Sequence, residues 1–192
     1  MKKLLLTSAL AVIATLSSYG QGSVGFANAS ASRVWLDTGT GTATTYLPSG
    51  GTYNAELVFA PDGTPTASFD AVATRVGGAI TFFSAGLFNG GGRTVNQGIT
   101  PAGGFGLFQV RVWDTRTGSD YLSASLNPNG FVGTSQILRV DTGDPTTVPP
   151  GTPTPLTGAG LASFTVSPVP EPSVIGLGLL GVGTLLMLRR RK

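Results

Sequence analysis

Hydrophobic and polar residues alternate in short stretches along the middle of the chain. An alternation with a period of two places successive side chains on opposite faces of a strand, so each stretch predicts a half-buried β-strand. The predicted strands are Ser23–Asn28, Arg33–Leu36, Asn54–Phe59, Ala79–Phe83, Phe105–Trp113, Gln136–Val140 and Ala162–Val166.

The alternation also predicts which side chains form the core. In the longest stretch, one face carries Phe108, Val110 and Val112, and the opposite face carries Leu107, Gln109, Arg111 and Trp113. In the stretch Asn54–Phe59, the core face carries Ala55, Leu57 and Phe59, which leaves Glu56 on the solvent side.

Turn-forming residues separate these stretches, and no strong helical periodicity occurs between them. The sequence therefore predicts an all-β fold over residues 21–167, an antiparallel β-sandwich or jelly-roll. Gly90-Gly91-Gly92 is expected to be a flexible turn, and the proline-rich segment Thr142–Pro155 is expected to be a long loop rather than a linker between domains.

The N-terminal end has a different pattern. Lys2 and Lys3 precede an apolar run from Leu4 to Leu16, and Ser18 and Gly20 are small residues at the −3 and −1 positions of a cleavage site before Gln21. This order is typical of a secretory signal peptide, so residues 1–20 are expected to be removed by signal peptidase after Sec-type export.

The C-terminal end carries a second apolar run. Val174–Leu188 has Thr184 as its only polar side chain and is followed by the basic cluster Arg189, Arg190, Arg191 and Lys192. A 15-residue helix is about 22 Å long, somewhat shorter than the roughly 30 Å hydrocarbon core of a bilayer. We expect a short transmembrane helix over residues 174–188, with the basic cluster held in the cytoplasm and residues 21–167 outside it.

Directly before that run stands the motif Val169, Pro170, Glu171, Pro172 and Ser173. The motif, the short Gly/Leu-rich span and the terminal basic cluster, in this order, resemble the PEP-CTERM sorting signal. The resemblance covers about the last 25 residues, taken as 168–192. It implies that a membrane protease-transpeptidase, an exosortase, recognises the tail, cuts near the motif and delivers the protein to the cell surface or to an exopolysaccharide-containing extracellular matrix.

The charge distribution argues against nucleic-acid binding. The formal net charge is +3, but between residues 21 and 167 six arginines stand against eight acidic residues, a net charge of −2. The basic excess belongs to the two ends, so no basic patch that would neutralise phosphates is expected. The chain has no Cys and no His, which excludes disulfides, thiolate nucleophiles, His bases and Cys/His zinc sites.

Three groups of residues could carry chemistry. Exposed aromatic residues, Trp35 and Trp113 above all, could stack on sugar rings, together with Tyr46, Tyr53 and Tyr121. Glu56 with a nearby Asp could form the acid pair of a glycosidase. Asp114–Asp120 and Asp141–Asp144 could supply oxygen ligands to Ca²⁺, although Asp and Gly are also ordinary turn formers and neither segment has a known calcium-loop spacing.

These observations favour a non-enzymatic protein of the cell surface or matrix, without a cofactor or bound metal. A carbohydrate-binding module that uses the exposed aromatic residues is the alternative, and a glycan-acting hydrolase is a weaker one.

Overall fold

The computed structural model describes residues 22–95, 103–145 and 147–170. The protein is mostly β, with 45% strand and 11% helix, which confirms the all-β part of the prediction. Helix occurs in this part only as short segments: the α-helices α1 (Phe69–Val72) and α2 (Tyr121–Ser125), and 3-10 turns at Ser30–Ser32 and Thr66–Ser68.

Twelve strands are formed by the described residues. They are β1 (Ser23–Ala27), β2 (Val34–Leu36), β3 (Thr45–Tyr46), β4 (Gly50–Pro61), β5 (Thr74–Arg75), β6 (Ile80–Ser84), β7 (Leu87–Thr94), β8 (Phe105–Asp114), β9 (Phe131–Thr134), β10 (Leu138–Asp141), β11 (Thr154–Pro155) and β12 (Phe164–Pro168).

The strands form one curled, open sheet. Its order is β11-β1-β7-β6-β4-β8-β9-β12-β2-β3, with β5 beside β4 and β10 beside β8. Most pairings are antiparallel, as predicted, but β11 is parallel to β1 and β12 is parallel to β2. The prediction contained no parallel pairs. In both pairs a strand from residues 154–168 lies beside a strand from residues 23–36.

The long strands β4 and β8 form the centre of the sheet. Nine consecutive residue pairs join them, from Tyr53–Asp114 to Pro61–Gly106. The predicted core face is confirmed, because Ala55, Leu57 and Phe59 of β4 are at most 1% exposed, and Phe108, Val110 and Val112 of β8 are completely buried. These six side chains belong to the main core cluster.

The opposite face of β4 is covered as well. Val58 and Ala60 are buried there and form a second, small cluster with Phe69 of α1. We call this face of β4 and β8 the outer face. A strand with both faces covered buries residues at successive positions, and this is why β4 does not show a clean alternation of burial.

Several local predictions differ from the structure. Gly90-Gly91-Gly92 lies within β7 and is not a turn between strands. The segment Thr142–Pro155 is mainly loop, as expected, but Thr154–Pro155 forms β11. Strands β3, β5, β7 and β9 and the two helices were not predicted. All except β7 have only two to five residues, too few positions to show a period, and the three glycines of β7 have no side chains that could show an alternation.

The described region ends within the predicted sorting motif. Strand β12 extends to Pro168, so the predicted boundary after residue 167 falls inside a strand. The Val169 backbone N–H donates a hydrogen bond to the Gly130 carbonyl at 2.8 Å, and Pro170 is exposed.

The remaining parts of the terminal predictions lie outside the described residues. These are the signal peptide 1–20, the motif residues Glu171–Ser173, the helix 174–188 and the basic cluster. Within residues 22–95, 103–145 and 147–170, no helix is long and apolar enough to cross a membrane.

Candidate functional site

A cleft opens on the outer face of the sheet, between β4, β5, β8 and the segment that contains α2. We call it the outer cleft. It has a volume of about 320 Å³ and is lined by Glu56, Val58, Ala73, Arg75, Arg111, Asp120, Tyr121 and Leu122. A hollow of about 420 Å³ adjoins it, and the two share Arg111, Tyr121 and Leu122. Asp70, Gln109, Ser125 and Thr134 complete the lining of the hollow.

Glu56 lies at the floor of the outer cleft and is only 4% exposed. The expectation of a solvated, outward-facing Glu56 is therefore wrong. The alternation places its side chain on the outer face correctly, but this face is not open to water. Its Oε2 accepts a hydrogen bond from Nε of Arg75 and forms an ion pair with Nη2, both at 2.5 Å, so the buried charge has a partner.

Arg111 is the second charge at the floor. It is the cross-strand partner of Glu56, yet its guanidinium turns to Asp70, with Nη2 and Oδ1 2.6 Å apart. The Arg111 side chain is 15% exposed, and its guanidinium lies 5.3 Å from the centroid of the Tyr121 ring. The outer cleft and the adjoining hollow together thus contain two arginine–carboxylate pairs and one aromatic ring.

The start of α2 positions Tyr121 and Leu122 at the cleft. Asp120 caps the helix: its Oδ1 accepts a hydrogen bond from the Ser123 backbone N–H at 2.8 Å, and its own N–H donates to the Ser123 hydroxyl. The hydrogen bonds that Ser123 donates to the carboxylate, from its backbone N–H first, lower the pKa of Asp120, so the cap stays ionised near neutral pH. Burial raises the pKa of Tyr121, whose hydroxyl therefore stays protonated. Leu122 is 68% exposed at the rim.

The two aspartate-rich turns have structural partners. Asp114 is buried and pairs with Arg116, with Oδ2 and Nη2 2.5 Å apart, while Asp120 caps α2. Asp141 belongs to β10 and lies opposite Phe105. Among the described residues, no three acidic side chains come together as a metal site would require.

The predicted stacking residues occupy different environments. Trp113 is 1% exposed, so it cannot offer a face to a sugar, and this part of the prediction is wrong. Its position on the face opposite Phe108 is confirmed, but that outer face is covered, and the Arg75 guanidinium lies 5.9 Å from its ring. Tyr53 is buried as well.

Trp35 and Tyr46 form an aromatic pair in which Tyr46 is exposed and Trp35 is half-buried. They are cross-strand partners on β2 and β3, with ring centroids 4.3 Å apart, and Tyr46 is 40% exposed. The Arg33 guanidinium lies 4.7 Å from the Tyr46 ring. Trp35 lies opposite the core face because its neighbour Val34 is buried.

The described residues thus define a mostly β protein with one curled sheet, a covered outer face and two surfaces that could bind a ligand. No protein-family model, no curated protein and no solved structure matches the chain. The geometry of its own residues is therefore the basis for any functional assignment.

Sequence reasoning missed most of the outer cleft. It considered Glu56, Asp120 and Tyr121 separately and did not consider Arg75, Arg111 or Leu122 as site residues. The available signal was the presence of opposite charges at Glu56 and Arg111 on the non-core faces of the two longest predicted strands. The pairing of these strands, which brings the charges together, was not evident from the sequence.

Proposed function

We propose that this chain is an exported, non-enzymatic protein of the cell surface or extracellular matrix, and that an exosortase recognises its C-terminal tail. In this proposal the Sec machinery exports the chain, signal peptidase removes residues 1–20, and the apolar helix holds the precursor in the inner membrane. The folded domain is proposed to be sandwich-like, because its single sheet curls around the core. This domain then associates with exopolysaccharide.

The observation that carries the proposal is the position of the motif relative to the folded domain. The Val169 N–H bond to Gly130 is the last backbone hydrogen bond of the described region, and Pro170, the next residue, is exposed. Proline fixes φ and disfavours helix in the residue before it, so the chain enters the motif in an extended form. A protease binds an extended substrate, and the sheet does not cover the start of this one.

The test is the mass of the mature C-terminus. The chain is expressed in a host that carries an exosortase, and the fractions from the inner membrane and the cell surface are analysed by intact-mass spectrometry. We expect a mature protein that has lost the apolar helix and the basic cluster. Replacement of Pro170, Glu171 and Pro172 by Ala should leave the full-length precursor in the inner membrane.

A matched control is available within the chain. Val148-Pro149-Pro150 begins with the same Val-Pro pair, and Val148 is almost fully exposed, but the glutamate and the apolar run are missing. Replacement of Pro149 and Pro150 by Ala should leave processing unchanged. A surface-located protein that still ends at Lys192 would refute the proposal.

Support for a non-enzymatic role comes from the carboxylates of the outer cleft. Glu56 is bonded to Arg75 and Asp70 to Arg111, while Asp120 is ionised and caps a helix. A glycosidase needs one carboxyl group that keeps a proton to donate to the leaving group. Asp120 does not suit that role, because its pKa is lowered rather than raised.

Carbohydrate binding is a second candidate function, favoured by the partly exposed aromatic pair of Trp35 and Tyr46. Aromatic faces at a surface suit the apolar face of a sugar ring. If this pair binds polysaccharide, replacement of Trp35 by Ala should abolish binding while the protein stays folded. Unchanged binding in that variant would exclude the pair as the binding surface.

A further inference from the structure

We propose that the outer cleft binds a neutral, hydroxyl-rich sugar ring, such as one hexose unit of an uncharged polysaccharide. This inference deepens the proposed association with polysaccharide. It assigns the contact to the face of β4, β8 and α2 rather than to the Trp35–Tyr46 pair.

The size of the outer cleft fits a small ligand. Pockets that bind small molecules have volumes of about 300–1,000 Å³, and the outer cleft, at about 320 Å³, lies at the lower end of this range. The adjoining hollow, at about 420 Å³, shares Arg111, Tyr121 and Leu122 with it, so a chain of sugars could continue from one into the other.

The polar groups in the cleft suit hydroxyls. A guanidinium has five N–H donors, and an ionised carboxylate accepts at about four positions. Arg75 uses Nε and Nη2 for Glu56, and Arg111 uses Nη2 for Asp70 and Nε for Gln109. Both kinds of group therefore retain capacity for further hydrogen bonds. A sugar hydroxyl both donates and accepts, so it matches a surface on which donors and acceptors are interleaved.

The apolar groups suit the C–H face of the ring. The Tyr121 ring is partly buried, and its position is fixed by the Asp120 cap at the start of α2. Leu122, exposed at the rim, extends the apolar surface. The isolated helix α2 has only five residues, so we attribute the order of this segment to its cap and its packing.

The charge balance favours a neutral ligand. Three carboxylates, those of Glu56, Asp70 and Asp120, face two guanidiniums. An anionic sugar would meet one more carboxylate than the two guanidiniums neutralise, and Asp120 would repel it. A cation would meet the two arginines. An uncharged ring avoids both penalties.

The test measures saccharide binding to the full chain by isothermal titration calorimetry. The protein is kept in a zwitterionic detergent, because detergents with sugar headgroups would compete. The probes are short oligosaccharides of glucose, mannose or galactose, with oligogalacturonate as the anionic comparison. We expect at least one neutral oligosaccharide to bind, and Tyr121→Ala to weaken its binding about tenfold.

Two further variants test whether a loss of saccharide binding comes from the outer cleft and its adjoining hollow. Thr134→Trp leaves Tyr121 in place but fills the hollow from an exposed position on β9, and it should also weaken binding about tenfold. Phe83→Ala removes an exposed aromatic ring on β6 that belongs neither to the outer cleft nor to the Trp35–Tyr46 pair, and it should leave binding unchanged.

Three results would overturn the proposal: no binding of any neutral oligosaccharide, binding of oligogalacturonate alone, or wild-type affinity in folded Tyr121→Ala and Thr134→Trp. The sorting proposal is tested separately, since Tyr121→Ala should still lose its C-terminal tail in a host with an exosortase. Normal processing without saccharide binding would refute the outer-cleft site alone, and binding without processing would refute the sorting proposal alone.

Discussion

At the scale of single residues, Asp114 illustrates how a buried charge is accommodated in this protein. It ends β8, is 1% exposed and accepts hydrogen bonds from the backbone N–H and the guanidinium of Arg116, two residues later. Burial opposes ionisation of Asp114, but the hydrogen bonds and the charge of Arg116 outweigh it, so the pKa of this carboxyl is lowered. An ion pair therefore closes the turn after β8, with the Asp114 carboxylate buried and the Arg116 side chain exposed.

This shift makes the stability depend on pH. A carboxyl whose pKa is lower in the folded state stabilises the protein above its unfolded pKa of about 3.9, and this contribution is lost as the pH falls through the folded value. We expect the free energy of unfolding to decrease as the pH is lowered below about 4. Asp114→Asn should lower it by about 1–3 kcal/mol at neutral pH and should flatten the acid dependence. Urea unfolding followed by the fluorescence of the neighbouring Trp113 measures both effects.

Asp62→Asn is the control for this prediction. Asp62 pairs with Arg139, mainly through a side-chain hydrogen bond that lowers its pKa, but both side chains are partly exposed, and water weakens such pairs. Its replacement should change the acid dependence much less. An acid dependence in Asp114→Asn equal to that of the wild type would show that Arg116 does not stabilise the ionised form.

At the scale of elements, the short strand β9 shows no clear alternation of hydrophobic and polar residues, yet it requires a glycine at position 133. It lies between β8 and β12, and the backbone of β12 passes close to Gly133. A Cβ atom at Gly133 would lie 2.5 Å from the Thr165 carbonyl oxygen and 2.9 Å from the Val166 Cα. Only a residue without a side chain fits there without moving β12.

Gly133→Ala should therefore separate β9 from β12 and lower the free energy of unfolding by about 1–3 kcal/mol, because the clash is with backbone atoms. Gly51→Ala is the matched control, since Gly51 lies in β4 and its added Cβ would meet no atom within 4 Å. That change should be neutral or stabilising by up to about 1 kcal/mol. Equal stabilities of the two variants in urea unfolding would contradict the close approach of β12.

The outer cleft also depends on contacts between different elements. The strands β4 and β8 bring Glu56 and Arg111 together, but Asp70 of α1 and Tyr121 of α2 supply the ion pair and the aromatic ring beside Arg111. Neither helix is longer than five residues. The outer cleft is therefore a property of packing between distant segments rather than of any one element.

At the scale of the whole molecule, β12 joins the last part of the folded chain to its first part. It lies between β9 and β2, and its Phe164 and Val166 belong to the main core. Two residues after β12 the chain reaches Pro170, at the start of the proposed sorting motif. The proposed tail therefore follows directly after β12, the strand that connects β2 and β3 to the rest of the sheet.

Two truncations test this arrangement. A chain of residues 22–170 should fold, because all twelve strands remain. A chain of residues 22–163 lacks β12 and should not fold, because it loses two core side chains and the strand that connects β2 to β9. Near-ultraviolet circular dichroism and resistance to proteolysis distinguish the two. Cooperative unfolding of the shorter chain with the same midpoint would contradict the role of β12.

The sequence by itself determined the features that depend on local periodicity. The alternation correctly assigned Phe108, Val110 and Val112 to the core, and the turn residues between the stretches correctly indicated an all-β fold, because strand formation and its two faces follow from neighbouring positions. The terminal patterns were also evident locally, and they remain predictions that the proposed processing experiment tests.

Only the tertiary structure decided which faces are covered and which distant residues meet. Trp113 and Glu56 lie on the predicted outer faces of their strands, yet both are buried. Arg75 of β5, which comes from another part of the chain, pairs with Glu56, and its guanidinium lies 5.9 Å from the Trp113 ring centroid. The parallel pairing of β12 with β2 joins residues about 130 positions apart. Local patterns carry no information about such long-range packing, so neither the single curled sheet nor the outer cleft could be derived from them.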